Sequence, residues 1–590
     1  MLNIKNIKEM TNSNFTTKKT SLFDNMASVK NSEKSVTAPF VNAGLKKSAE
    51  TVSGNGALKY FTSGDPFVDQ FNMLGVYRAP RPFNEIEKDC EILWAENKLM
   101  CVKFIYFIRM ISRIAQYPDG RKTSVAQKGG ELKHEGIMRM IWLQMKDPKI
   151  YWNTVGLVPT VGSWHDIFAM LQYDLVYNGW ENRCLDWNRY ASLILSALNN
   201  ENTVNLVKKY LPQIKAKSVC KTVESQADTI IAKWIASYVF GKKDPKIHAT
   251  YKLYRQMKSS GTAHEWQQFI SKQQYEKIDF EKIHGRALHL LAKTKFFDNH
   301  NLREKFTAWI TSDETVNVKS TEFVHELFED FSNIGFNAYN IDRKYNKLSD
   351  VPKDIQALTN KKFNTLVNKV KDSNTYSKLI VVRDTSSSMT ATAKGTKSSS
   401  FDIGKALALY FSEFLTGPFA NAYMEFNTIC EMHTWKGNTP IEKWFNDKCE
   451  AYGSTNFLSV IYKFVEIKNS GVKESDFPTG ILCISDGEFN PADLNTTNVS
   501  KARQLLRNAG FSKEYVDNFV IILWDIPNEY YYNNCKPKFE TFGNVTNVFY
   551  MAGYSASIVS FLSDRIATPK ELFEAAMNQE TLNIFDEIIK

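Results

Sequence analysis

The stretch Leu379-Ile-Val-Val-Arg-Asp384-Thr-Ser386-Ser-Ser388-Met389 decides the fold of the C-terminal part. Its first half is a short apolar run, the pattern of a strand buried on both faces, and its second half is a loop crowded with oxygen donors. Outward from it, short apolar runs alternate with amphipathic segments. Further strands are predicted at Ala422–Phe426, Gly480–Ser485, Phe519–Trp524 and Val545–Met551, and helices at Phe401–Leu415, Thr455–Val465, Val499–Asn508 and Ile558–Ile566. Such alternation implies an α/β, doubly wound and mainly parallel sheet, whose sites form where loops leave the C-terminal ends of the strands.

Three loops hold that position: Asp384 to Met389, Tyr452-Gly-Ser-Thr455, and Ser485-Asp-Gly-Glu488. They offer Asp384, Ser386, Ser388, Thr455 and Asp486, an all-oxygen set that suits Mg2+ or Mn2+ better than zinc or copper. With two carboxylates and several neutral hydroxyls, the ion keeps net positive charge and a coordination position open to an acidic side chain of a protein partner. An enzyme is not expected. Aspartate-based phosphoryl chemistry needs an acid where Ser386 stands, and there is neither a G-x-S-x-G elbow nor a phosphate-binding G-x-x-x-x-G-K-[ST] loop. His433 reads as a packing or surface histidine.

Before this region the pattern is helical. From Phe83 to Phe331 apolar residues recur at three and four residue spacings, as in Ile86, Cys90, Leu93 and Trp94, and the same pattern runs through 135–145, 165–177, 187–198, 225–239, 246–258, 279–293 and 321–332. The expected architecture is therefore multidomain: a flexible basic tail over 1–55, an all-α module over 56–370, either a helical solenoid or a bundle, and the α/β domain over 371–590. No fixed sequence period marks a repeat.

Charge divides along the same line. From Leu379 onward there are 19 basic and 25 acidic residues, so a total of +10 resolves into −6 there and +16 on the first 378 residues. That excess suits a polyanion, because neutralising phosphates and releasing their counterions supplies most non-specific nucleic-acid affinity. Candidate RNA contacts are Lys103, Arg109 and Arg113, spaced to share a helix face; Lys208, Lys209, Lys215 and Lys217; Lys242 and Lys243; and Arg255 and Lys258. The eight cysteines are scattered without a C-x-x-C pair and read as reduced, mostly buried thiols. No apolar run is long enough to span a membrane and no secretory signal is evident, so a cytoplasmic setting is expected, in a host cell or virion if the AT-rich style of composition marks a virus.

The three loops, in that order on those elements, resemble the von Willebrand factor A fold and its metal-ion-dependent adhesion site (MIDAS). The resemblance covers about Lys378 to Asp564; it implies Ser386, Ser388 and Thr455 as direct or near-direct ligands, with Asp384 and Asp486 acting largely through water. The helical part resembles the TROVE module of the Ro autoantigen family, a ring of HEAT-like repeats, and is closest to a little-characterised relative with the same two-part layout. The residues that carry this are Val158-Pro-Thr-Val-Gly-Ser-Trp-His-Asp-Ile167, Lys252-Leu-Tyr-Arg-Gln-Met-Lys258, Phe363 to Val370, Leu523-Trp-Asp-Ile-Pro527 and Ala552-Gly-Tyr-Ser555. It implies a ribonucleoprotein component that holds structured or single-stranded RNA. A metal-dependent interaction or assembly scaffold without RNA is the alternative.

Overall fold

Leu379–Asp384 (β1) is buried at all six positions, the first four of them apolar, and it forms the centre of a sheet, since a strand covered on both faces needs side chains that can leave water on both. Around it lie Ala422–Phe426 (β2), Cys430–Thr434 (β3), Gly480–Ser485 (β4), Val520–Asp525 (β5) and Val548–Ala552 (β6), in the spatial order β3-β2-β1-β4-β5-β6. All neighbours pair in parallel except β2 and β3, which form an antiparallel edge. The chain moves from β1 outward to β2 and β3, then crosses back to β4 on the other side of β1. That reversal is the topological switch point where crevices open in such sheets. The registers Asp384 to Phe426 and Ser485 to Asp525 bring four strand ends level with it.

The computed structural model describes residues 50–53, 55–216, 218–241, 247–260, 264–283, 285–312, 318, 320, 322–331, 343–368, 378–493, 496–528, 539–541, 545–554 and 568–589. The helix expected at Ile558–Ile566 lies outside them. The edge strand β3 was not expected. Its sequence, Cys-Glu-Met-His-Thr, is half exposed along its length, so it carries no buried period to read. The helix Ser400–Ser412 is buried at every position and packs on β1 and β4, while Leu458–Asn469 packs on β2 and β3.

Two compact units emerge, and their limits differ from the division at 370/371 drawn from the change in secondary structure. Among the described residues one unit comprises those of 80–273 and 577–589; the other takes those of 50–79 and 274–576. The α/β unit thus includes a two-stranded hairpin, Glu50–Val52 with Leu58–Tyr60, where a featureless tail was expected to run to residue 55. The helical unit takes back the last residues of the chain: the helices Glu580–Asn583 and Phe585–Ile588 pack on Lys98–Arg109, with Phe585 against Tyr106 at 4.6 Å between ring centroids.

Within the helical unit, Phe83–Glu96, Lys133–Lys146, Trp164–Asn178, Trp187–Leu198, Val223–Phe240 and Ile247–Ser260 follow the expected periods. The segment expected at 321–332 does not: its described residues, 322–331, hold the 3-10 turn Val324–Leu327 rather than a longer helix, and they belong to the other unit. Of the described cysteines, Cys90, Cys101 and Cys483 are buried, whereas Cys184 is exposed and Cys220, Cys430 and Cys449 are half-buried; the expectation of mostly buried thiols holds for fewer than half of them. No described helix is long and apolar enough to cross a membrane.

Candidate functional site

Three loops meet at the switch point because backbone hydrogen bonds tie them there. Thr385 donates to Phe426 O at the end of β2, Tyr452 donates to Thr385 O at 2.9 Å, and Ser387 donates to Gly453 O at 3.3 Å. These bonds hold the 384–388 loop against the 452–455 loop. The third loop is fastened by side chains: Ser485 gives its hydroxyl hydrogen to Asp384 Oδ2, and Asn528 donates to Asp486 Oδ2 at 2.9 Å and to Ser388 O at 3.2 Å. The structure therefore gathers Asp384, Ser386, Ser388, Thr455 and Asp486 about one place.

Local chemistry orients each group. Asp384 Oδ1 accepts the Ser386 N–H at 2.8 Å, so the carboxylate is braced by its own loop. Ser386 Oγ and Ser388 Oγ stand 3.1 Å apart, as side chains two positions apart on an extended loop should. Asp384, Ser386, Thr455 and Asp486 are buried, and Ser388 is half-buried. Burial, and then the facing charge of Asp486, push the Asp384 carboxyl up to about 7. Burial likewise raises Asp525, at the end of β5, to about 7, with Lys59 opposing the rise and Asp486 adding to it.

A hard divalent cation fits this set. It is made of oxygen alone, two hydroxyls are adjacent, and two carboxylates repel one another in a place where water cannot screen them. Among the described residues no group of three His, Cys, Asp or Glu side chains is placed to hold a metal, so the hydroxyls are integral to any such site. Sequence reading missed two contributors, Asn528 and Asn55. Asn528 follows β5 without a motif, and Asn55 lies some 400 residues from Thr455, to whose Oγ1 it donates at 3.4 Å. No local pattern signals either.

In the helical unit the candidate basic residues separate into two kinds. Lys103 and Arg109 are corrected from surface contacts to buried side chains held in ion pairs: Lys103 meets the part-exposed Asp586 at 2.8 Å, and Arg109 meets the buried Asp166 at 2.9 Å. Their face is not a shared one with Arg113 either. The helix stops at Arg109, and Arg113 lies in an extended bridge to Gln127, donating to Gly162 O. Gly162 explains the tightness of this corner, since a Cβ there would stand 2.1 Å from Asp166 Oδ2 and 3.1 Å from the Arg109 guanidinium. The Val158–Ile167 turn is thus built around a buried charge pair.

By contrast, Lys209, Lys215 and Lys258 line one open cleft of about 350 Å3, with His165, Tyr210, Gln172 and Gln213 on its walls and, among the described residues, Asp228 as the one carboxylate of its lining. Lys258 also donates to Leu211 O, which holds its stem against the wall. Lys208 reaches Ser260 Oγ at 3.3 Å, and Arg255 is exposed on the helix that carries Lys258. Lys217, Lys242 and Lys243 lie outside the described residues.

The fold and site define a doubly wound α/β unit with an oxygen-rich crevice, joined in one chain to an all-helical unit. A family model described as a domain of unknown function (DUF7788) matches residues 378–586. Among solved structures the chain is similar to the crystal structure of Deinococcus radiodurans RO (RSR) protein, with 12% sequence identity over 75% of this chain and 87% of that chain, at a TM-score of 0.39. None of the curated proteins compared with it matches.

Proposed function

We propose that this chain is a non-enzymatic, Ro-like RNA-binding protein whose α/β unit, of von Willebrand A type, adds a divalent-metal-dependent docking site for an acidic protein side chain. The observation that carries the RNA reading is the convergence of Lys209, Lys215 and Lys258 on one cleft. Three ammonium groups against one carboxylate give a net positive hollow for phosphates, while the Tyr210 and His165 rings supply faces on which an unpaired base stacks. This arrangement favours single-stranded over double-stranded RNA, whose bases are already stacked.

For the α/β unit, the residues that would hold Mg2+ or Mn2+ are Ser386, Ser388 and Thr455, with Asp384 and Asp486 behind them. Bound there, the ion would supply a positively charged, open position for a carboxylate. The chain's own part is to orient: Ser485 and the Ser386 N–H brace Asp384, and Asn528 braces Asp486. Binding of a fluorescent single-stranded RNA to the full chain, followed across a salt series, tests the first half. Salt-sensitive binding that Lys209→Glu with Lys215→Glu weakens supports it. Binding absent at low salt, together with Mn2+-dependent capture of a protein partner, would instead favour the scaffold reading that the metal-site loops also suit.

A further inference from the structure

The hairpin Glu50–Val52/Leu58–Tyr60 delivers three donors to the rim of the proposed metal centre. Ser53 Oγ donates to Phe489 O at 2.6 Å, Asn55 Nδ2 donates to Glu488 O at 2.5 Å and to Thr455 Oγ1 at 3.4 Å, and Lys59 Nζ donates to Gly487 O. Every one of these reaches the loop that carries Asp486 or the threonine of the candidate ligand set. The Glu488 carbonyl fixes the orientation of the Asn55 amide, because a carbonyl accepts only from the N–H end.

The two ends of the hairpin are held differently. Its base is anchored: Tyr60 and Phe539 exchange backbone hydrogen bonds of 2.7 and 2.8 Å, and Lys59 is buried beside Glu540 at 3.7 Å and over the Phe489 ring at 4.6 Å. At its tip Asn55 and Gly56 are exposed, between the buried Ser53 and Ala57. The exposed residues of the turn can move away from their acceptors while the base stays.

Thr455 Oγ1 is the point of conflict. A divalent ion that takes this oxygen as a ligand would lie beside an amide whose hydrogens carry partial positive charge. The same oxygen-rich loops that attract a cation are thus already served by the chain's own donors. We infer that the N-terminal hairpin is a resident latch on the metal face, whose Asn55 tip competes with the divalent ion for Thr455 and is released when the ion and an acidic partner bind. This rests on the metal-docking reading above, and adds to it that docking is opposed by a segment of the same chain.

Mn2+ titration of the full chain, read by the electron paramagnetic resonance signal of free Mn2+, tests the latch with wild type, Asn55→Ala and Asp384→Ala in parallel. Removing one neutral hydrogen bond that competes with the ion should tighten Mn2+ binding by roughly two- to tenfold in Asn55→Ala. Hydrogen exchange supplies a second readout: the Ala57 amide, which donates to Ser53 Oγ at 2.9 Å, should lose protection when Mn2+ is added. Equal or weaker Mn2+ binding in Asn55→Ala, with Asp384→Ala still abolishing it, overturns the latch and leaves the metal site standing. No Mn2+ binding by any of the three chains overturns both.

Discussion

The side-chain amide of Asn528 holds Asp486 Oδ2 at 2.9 Å and the Ser388 carbonyl at 3.2 Å, joining two of the three crevice loops through one buried residue. Outer partners of this kind fix the orientation of ligands they do not replace. Asn528→Ala is therefore expected to weaken Mn2+ binding by about tenfold or more, with the circular dichroism of the chain unchanged. Calorimetric titration measures it, and unaltered affinity would remove Asn528 from the site.

Metal should stabilise the full chain. A ligand that binds the folded state alone adds stability by mass action, about 2.7 kcal/mol at a hundredfold excess over its Kd. Mg2+ or Mn2+ should raise Tm in wild type and leave Asp384→Ala where it was. Identical melting of wild type in Mg2+ and in EDTA would count against the centre.

For RNA, the two kinds of lysine should behave in opposite ways. Lys209→Glu with Lys215→Glu should reduce affinity and flatten its dependence on the logarithm of salt concentration by about 0.7 per lost contact on a single strand. Arg109→Ala should leave that slope alone but destabilise the fold by about 3–5 kcal/mol, since it strands Asp166 without its guanidinium in a buried corner. Chemical denaturation and filter binding on the same preparations separate the two effects.

A buried charge network near β1 makes a prediction in pH. Arg383 is held by Glu425 and by Asp447 at 2.9 Å, and Lys405 approaches Asp447 at 3.2 Å. Burial by itself would raise the Asp447 carboxyl, but Arg383 and Lys405 outweigh it and hold it well below the usual carboxylate range. A carboxyl whose folded pKa is depressed stabilises fully above its unfolded value and loses that contribution as pH falls through and below it. Stability should therefore decline from about pH 4 downward, and Asp447→Asn should destabilise the chain at pH 7 while flattening that decline. Urea melts between pH 2.5 and 7 give both results.

Much of the α/β unit was legible because burial on both faces writes itself into sequence. Ile380, Val381 and Val382 or Ile481, Leu482 and Cys483 admit few other readings. Strand β3 escaped because an exposed edge places little constraint on its side chains. The spacing of Lys103, Arg109 and Arg113 misled because periodicity cannot say where a helix ends, here at Arg109 before Arg113 is reached, nor whether its face meets water or, as for Lys103, the carboxylate of Asp586.

Residue order alone makes legible the succession of helical and α/β parts, the position of the crevice loops, their oxygen-only side chains and the split in charge. Each of these is a local property, settled by side-chain chemistry within a few residues of chain. Long-range packing brings residues 50–60 and 577–589 back to units far from them in sequence, turns Arg109 inward while Lys209, Lys215 and Lys258 share a cleft, and sets Asn55 and Asn528 beside the crevice loops. Those are contacts across tens to hundreds of residues, set by how whole elements bury their apolar faces, and no local pattern encodes them.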